Sequence, residues 1–217
     1  MVSKIYLISP PKIEIVSFKK ELTNLLKTGL VRVFQLRLKD YHFLELKKIA
    51  LEINTICQEH NCLFILNDNL QLALESGFDG VHIGQQDLFE LDLNLATTKI
   101  NLRKFFKLPK DFILGVSCYD SLSLALDAER FGASYVSFGA FFPTQTKRAI
   151  AFPKLSIIKE FNLQSSLPVV AIGGINNDNY HHLVNNGADF LAVVSYIWQN
   201  QNPICALNNL CINPIIK

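Results

Sequence analysis

An α/β fold, a single-domain (β/α)8 TIM barrel, is predicted by three observations. Short β-branched or apolar runs alternate strictly with segments of helical spacing, eight such units fit within 217 residues, and no Gly-x-Gly-x-x-Gly follows the first run. Strict alternation implies parallel pairing, because each crossover returns the chain to the same edge in the same direction. Eight units suit a closed barrel of this length. The competing arrangement, a doubly wound open sheet, would carry the glycine fingerprint after its first strand if it bound a dinucleotide. With 49% hydrophobic and 18% charged residues, the chain has apolar material for one sizeable core, read as one domain over residues 1–217.

In chain order, strands are expected at Ile5–Ser9, Val31–Arg37, Leu63–Asn67, Gly80–Gly84, Phe112–Ser117, Tyr135–Phe138, Val169–Gly173 and Phe190–Ser195. Helical periods lie between them, as in Phe43, Leu44, Leu46, Ile49, Ala50 and Ile53, or Leu122, Leu124, Ala125, Ala128 and Phe131. The segment at about 88–111 is irregular: Thr97, Thr98 and Asn101 interrupt any clean period, which predicts a disturbed fourth helix or a surface insertion. The chain begins almost directly at strand one, and no linker, low-complexity tract or repeat with sequence identity divides it.

Composition excludes several classes of function. A net charge of +2 with scattered Lys and Arg gives neither a nucleic-acid surface nor a membrane-binding stripe. Five cysteines (57, 62, 118, 205 and 211) lack a Cys-x-x-Cys pair, so a reducing compartment fits better than a disulfide framework or a zinc site. No stretch approaches the roughly 18 apolar residues that span a bilayer. A cytoplasmic protein is expected, with small molecules as partners, neither nucleic acid nor membrane, and a homo-oligomer left open.

In a barrel, function sits at the C-terminal ends of the strands. Strand two ends in Gln35-Leu-Arg37-Leu-Lys39, and its period of two sends Phe34, Leu36 and Leu38 to the helix layer and the three polar side chains into the mouth. A solvated edge strand would show the same alternation. Strand three ends in Asn67-Asp68 and strand four runs into Asp87, two carboxylates that suit Mg²⁺. Asp68 could instead cap the helix from Leu70 to Ser76, and Asp87 serve a turn. His82, inside an apolar strand, reads as a hydrogen-bonded core histidine; His42, His60, His181 and His182 read as surface. Ser117, ending strand five, could donate to an oxyanion or cap the helix near Ser121, and Cys118 reads as a packing residue. After strand six, Pro143 stiffens a turn carrying Thr144, Thr146 and Lys147, two hydroxyls and a positive charge of the kind that bind oxyanions. Strand seven ends in Gly173-Gly174, whose backbone N–H groups can approach a phosphate closely, and strand eight in Val194-Ser195. The polar ends sum to a cationic anion site (Arg37, Lys39, Lys147, with Mg²⁺ on Asp68 and Asp87) suited to a pyrophosphate. A neutral one (Thr144, Thr146, Gly174, Ser195) suits a monophosphate.

The pieces FQLRLKD, LNDN, DGVHIGQQD, GVSC, YVSFGAFFPTQTK, VVAIGGI and GADFLAVVSYIW, in this order, resemble the thiamine phosphate synthase family. The resemblance implies an enzyme, a transferase of thiamine biosynthesis. It would join hydroxymethylpyrimidine pyrophosphate to a thiazole phosphate, with Gln35, Arg37, Lys39, Asn67, Ser117 and Lys147 holding the pyrimidine pyrophosphate and Asp68 and Asp87 binding Mg²⁺. It further implies Thr144, Thr146, Gly174, Val194 and Ser195 around the thiazole phosphate, and Arg37, Lys39, Ser117 and Lys147 as the catalytic set. The residue types agree: pyrophosphate leaves readily once its charge is neutralised, and the pyrimidine methylene cation left behind is captured by the thiazole nitrogen without a general base.

Two departures stand out. The stretch from Leu88 to Asp111 is longer than the family's usual connection, and RAIAFPKL after Lys147 lacks an expected glycine. A related thiazole tautomerase, which looks to use a histidine just after strand six, is disfavoured because Ala140 occupies that position. A barrel that binds ligand without catalysis is opposed by the intact Arg37, Lys39, Asp68, Asp87 and Lys147. A sugar-phosphate isomerase would need an acid/base pair that the mouth lacks.

Overall fold

The computed structural model describes residues 4–84, 88, 101–144 and 151–211. Eight parallel strands close a barrel in sequence order: β1 (Lys4–Ile8), β2 (Val31–Leu36), β3 (Leu63–Asn67), β4 (Gly80–Ile83), β5 (Ile113–Tyr119), β6 (Tyr135–Phe138), β7 (Val169–Ile172) and β8 (Phe190–Val193), with β8 pairing β1. Helices α1 (Ile15–Leu26), α2 (Phe43–Glu59), α3 (Leu70–Glu75), α4 (Leu102–Phe105), α5 (Leu122–Arg130), α6 (Ser156–Asn162), α7 (Tyr180–Asn185), α8 (Ser195–Trp198) and α9 (Pro203–Cys211) complete the described residues. The expected barrel is therefore present. Of the irregular segment, the described part forms the short α4, capped by Asn101, whose side chain accepts from Lys104 N.

Alternation along each strand sorts side chains into two cores. Outward residues pack the helix layer: Phe34 meets Phe18 of α1 at 6.2 Å and Phe64 of β3 at 6.4 Å between ring centroids. A fully buried aromatic of this kind contributes about 1.5–3 kcal/mol. Inward residues Tyr6, Ile8, Val33, Ile65, Tyr135, Val170 and Ala192 fill the barrel itself. On α2 the buried stripe is Ile49, Ala50, Ile53 and Cys57, while Phe43 and Leu44 in the first turn are exposed because the helix begins beyond the layer it covers.

The lower, N-terminal end of the barrel is held by side chains that satisfy strand-starting amides. Asp79, just before β4, accepts from Phe64 N at 2.7 Å, and Asp189, just before β8, accepts from Val169 N at 2.8 Å. Ser134 does the same for Leu114 N at 3.0 Å. At the other end, Trp198 Nε1 donates to Ile8 O at 2.7 Å, tying α8 across the closure between β8 and β1. These polar groups are occupied by the backbone, which leaves the C-terminal mouth for chemistry.

Candidate active site

Strand β2 delivers the first charged groups. Gln35 is 2% exposed, and its Nε2 donates to Asn67 Oδ1 at 2.9 Å, so the Asn67 amide is held with its oxygen engaged. Arg37 N donates to Ser9 Oγ at 2.8 Å, pinning the chain as it leaves β2 and setting Arg37 and Lys39 on the rim. The Lys39 Nζ meets Asp68 Oδ2 at 2.6 Å, with side-chain exposures of 46% and 27%. A pair this exposed contributes at most about 1 kcal/mol, so either partner can be exchanged for another ion at little cost.

Asp68 does not cap α3. Its φ of 65° places it in the left-handed region, its N–H donates to His82 O at 2.9 Å, and the cap is Asn69, whose side chain accepts from Leu72 N. The carboxylate is thereby turned to the rim rather than to the helix. Likewise Ser121, accepting from Leu124 N at 3.2 Å, caps α5, so Ser117 is not its cap.

Ser117 belongs to a line of four side chains. Tyr6 and Tyr135 join hydroxyl to hydroxyl at 2.7 Å, Tyr135 Oη meets His82 Nδ1 at 2.9 Å, and His82 Nε2 meets Ser117 Oγ at 2.8 Å. Gly115 makes this line possible, since a Cβ there would lie 2.1 Å from Tyr135 Cζ. His82 is hydrogen-bonded as expected, but it lines the mouth rather than lying enclosed in the core. Burial first, and Tyr135 second, hold the Tyr6 phenol well above its ordinary pKa; burial raises Tyr135 as well. Both rings stay neutral at physiological pH. Cys118, fully buried with its thiol pKa raised by burial, is a packing residue.

The opposite side of the mouth is built from loops after β6, β7 and β8. Phe141 N donates to Ile172 O at 3.0 Å and Phe142 N to Gly173 O at 3.1 Å, laying one loop on the next. Gly174 has a φ of +62°, and a Cβ on it would lie 2.3 Å from Pro143 O, so the close approach requires glycine. Asn179 Nδ2 donates to Gly174 O at 2.9 Å and fixes the turn. Thr144, Gly174, Val194 and Ser195 line this side, and among the described residues no charged side chain does.

Gln35, Arg37, Lys39, Asn67, Asp68, Ser117, Thr144, Gly174, Val194 and Ser195 thus border one cavity. Asp87, Thr146 and Lys147 lie outside the described residues. Sequence reasoning missed Ser9, Tyr119, Ser137 and Tyr196 around the same cavity. Ser9 carried a usable signal, a polar residue ending the first apolar run. His42 and His182 are exposed as expected, whereas His60 and His181 are only partly so. Ala140 lines the mouth after β6, so the imidazole that reaches the cavity comes from β4.

A barrel whose mouth sets a cationic, carboxylate-bearing wall against a glycine-turned neutral wall defines an enzyme of phosphorylated small molecules. The chain belongs to the thiamine monophosphate synthase family, whose sequence profile matches residues 5–197. It is 39% identical over 208 residues to a thiamine-phosphate synthase of Pelagibacter ubique, covering 95% of each chain. To that of Methanocella arvoryzae it is 40% identical over 192 residues, 88% of this chain and 84% of the relative. Among solved structures, thiamine phosphate pyrophosphorylase from Pyrococcus furiosus superposes with a TM-score of 0.76 at 29% identity, covering 95% of this chain and 93% of that one. A 3-hexulose-6-phosphate synthase at TM-score 0.63 and 11% identity, covering 95% and 97%, shares the fold alone. No helix among the described residues is long and apolar enough to cross a membrane.

Proposed function

We propose that the protein condenses 4-amino-2-methyl-5-hydroxymethylpyrimidine pyrophosphate with thiazole phosphate to give thiamine phosphate and pyrophosphate, acting in the cytoplasm as one barrel domain. The observation that carries this reading is the division of the mouth: Arg37, Lys39 and Asp68 on one wall, Thr144, Gly174 and Ser195 on the other. Membership of the family and synthase relatives matched along nearly their whole length support the same reaction.

The C–O bond between the pyrimidine methylene and its pyrophosphate breaks, and its electron pair leaves on pyrophosphate. The thiazole nitrogen then supplies the pair for the new C–N bond, so no proton has to move at the reacting centre. Arg37 and Lys39, joined by Lys147, neutralise the charge that grows on the leaving group, and such groups act best when fixed in advance. Gln35 and Asn67 position the pyrimidine, and Ser117 donates to the pyrophosphate. On the other wall Thr144 and the backbone at Gly174, Val194 and Ser195, joined by Thr146, hold the thiazole phosphate.

Magnesium fits this wall. Asp68 presents to the rim a hard carboxylate that already draws a cation, Lys39, and the helix does not use it as a cap. One or two carboxylates suffice for Mg²⁺, whose remaining positions go to water and phosphate oxygens. Asp68 and Asp87 would hold the ion, which when bound supplies further charge neutralisation to pyrophosphate. Incubating the purified protein with both substrates, with Mg²⁺ or with excess EDTA, tests the proposal. Thiamine phosphate should form in the first mixture and not in the second; no product with Mg²⁺ would remove the synthase reading.

A further inference from the structure

One hydroxyl at the foot of the mouth takes no part in the protein's own hydrogen bonding. On β6 the alternation sends Val136 and Phe138 to the helix layer, and Tyr135 and Ser137 inward. Tyr135 is paired through its hydroxyl. Ser137, two residues nearer the mouth, is 7% exposed and lines the cavity, and its Oγ has no hydrogen-bond partner among the described residues. Packing alone would favour alanine there, because a buried hydroxyl that makes no bond in the protein costs stability. A group this buried and unpaired is explained by a partner that comes from outside the chain.

The barrel's registers say what stands opposite it. Stepping up one residue per strand, as the tilt of such a barrel requires, carries the level of Gln35 on β2 to His82 on β4, Ser137 on β6 and Ala192 on β8. All four line the cavity. In a closed ring of eight strands β2 lies across from β6 and β4 across from β8, so Gln35 and Ser137 stand on opposite sides of the mouth.

Gln35 spends one N–H on Asn67 and keeps a second N–H and its oxygen. A primary amide with both groups available pairs in bidentate fashion with an amine and the ring nitrogen next to it. On the aminopyrimidine of the synthase reading these are the 4-amino group and N3. The remaining ring nitrogen, N1, lies on the other side of C2 and calls for one donor, which a single hydroxyl supplies. The reverse placement would set the Gln35 oxygen against a ring C–H and leave one hydroxyl to serve both N3 and the amine.

We propose that Ser137 is a specificity-determining residue: its hydroxyl donates to N1 of the pyrimidine while Gln35 holds the 4-amino and N3 edge, so the two sides of the ring are read from opposite strands. Carbon C5 then carries its pyrophosphate up to the rim, and the 2-methyl group points to the foot of the mouth. The ring faces turn toward β4 and β8, which puts the leaving pyrophosphate and the thiazole on opposite faces. The inference rests on the synthase reading, which gives Gln35 to the pyrimidine and leaves Ser137 without a role.

Calorimetric titration tests it, with the pyrimidine pyrophosphate and two analogues, one with C–H in place of N1 and one with C–H in place of N3. Each is titrated into the wild type and Ser137→Ala in the presence of Mg²⁺. Loss of one such hydrogen bond weakens binding by about three- to tenfold. The wild type should bind the N1 analogue that much more weakly than the parent. Ser137→Ala should lose as much for the parent and bind parent and N1 analogue alike, because the bond is already gone. The N3 analogue should stay weaker than the parent in both proteins. A wild type that holds the parent and the N1 analogue equally well overturns the proposal, and so do losses that multiply when Ser137→Ala meets the N1 analogue. Either result leaves the synthase reading standing, since the parent still binds. Failure of the wild type to bind the parent at all removes both.

Discussion

The two walls of the mouth are made differently. On the wall from β2 to β5, side chains carry the chemistry: Arg37, Lys39 and Asp68 stand at strand ends, Arg37 pinned through its backbone by Ser9 and Lys39 paired with Asp68, beside the bonded Gln35 and Asn67 amides. On the wall from β6 to β8 the described residues offer hydroxyls and backbone at Thr144, Gly174 and Ser195, with a shape set by glycine. The contrast matches what each wall would meet. A pyrophosphate that gains charge as it leaves is served by cations set at the strand ends, while a phosphate that only anchors its substrate is served by a rigid neutral cradle.

The largest effect should come from a charge assigned to the leaving pyrophosphate. Lys147→Ala is expected to lower kcat by about 10²–10³-fold, as for loss of a group acting on the leaving charge, while leaving the KM for thiazole phosphate within a few-fold. Steady-state kinetics with each substrate varied would check this, and equal losses in kcat and thiazole phosphate binding would break the division.

Gly174→Ala sharpens the comparison from the other side. An alanine must adopt a φ of +62° and move Pro143 O out of a 2.3 Å contact. The strain is about 1–3 kcal/mol, read as a lower melting temperature and a raised KM for thiazole phosphate. The KM for the pyrimidine pyrophosphate should change little.

A smaller effect concerns pH and belongs to neither wall. Tyr6 and Tyr135 are raised by burial, Cys57 chiefly by its hydrogen bond with Cys62 and then by burial, and Cys118 by burial. The folded state keeps these protons while the unfolded chain loses them, so the unfolded state binds fewer protons at alkaline pH. Stability is therefore full below the ordinary thiol value of about 8.5 and declines above it, more steeply past the phenol value of about 10. Melting curves across that range should fall for the wild type and fall less steeply beyond pH 10 for Tyr6→Phe. A flat wild-type profile would contradict the assignment.

Much of the barrel was legible because alternation and helical period are local. β3 and β6 begin and end where their apolar runs do. β5 runs on to Tyr119 because its pairing with β6 shifts register between Ser117 and Tyr119, which no run of residue types encodes. The cap of α3 is ambiguous in the sequence for a related reason. Asn67, Asp68 and Asn69 are all good caps by type, and the left-handed turn at Asp68 alone selects Asn69. At the site, the alternation Gln35-Leu-Arg37-Leu-Lys39 revealed the charged wall directly. His82 was harder to place, because an inward strand position looks like core until the height of the mouth is known. The Tyr6–Tyr135 bond joins residues 129 apart in sequence, and Gly115 makes sense only once the Tyr135 ring is seen crossing in front of it.

The division of the mouth can be measured without turnover, by calorimetric titration of inorganic pyrophosphate in the presence of Mg²⁺ into the wild type, Lys39→Ala and Gly174→Ala. Pyrophosphate should bind the wild type and Gly174→Ala alike and bind Lys39→Ala at least tenfold more weakly, the equivalent of about 1.4 kcal/mol. Equal weakening in both variants, or weakening confined to Gly174→Ala, would contradict the assignment of the two walls.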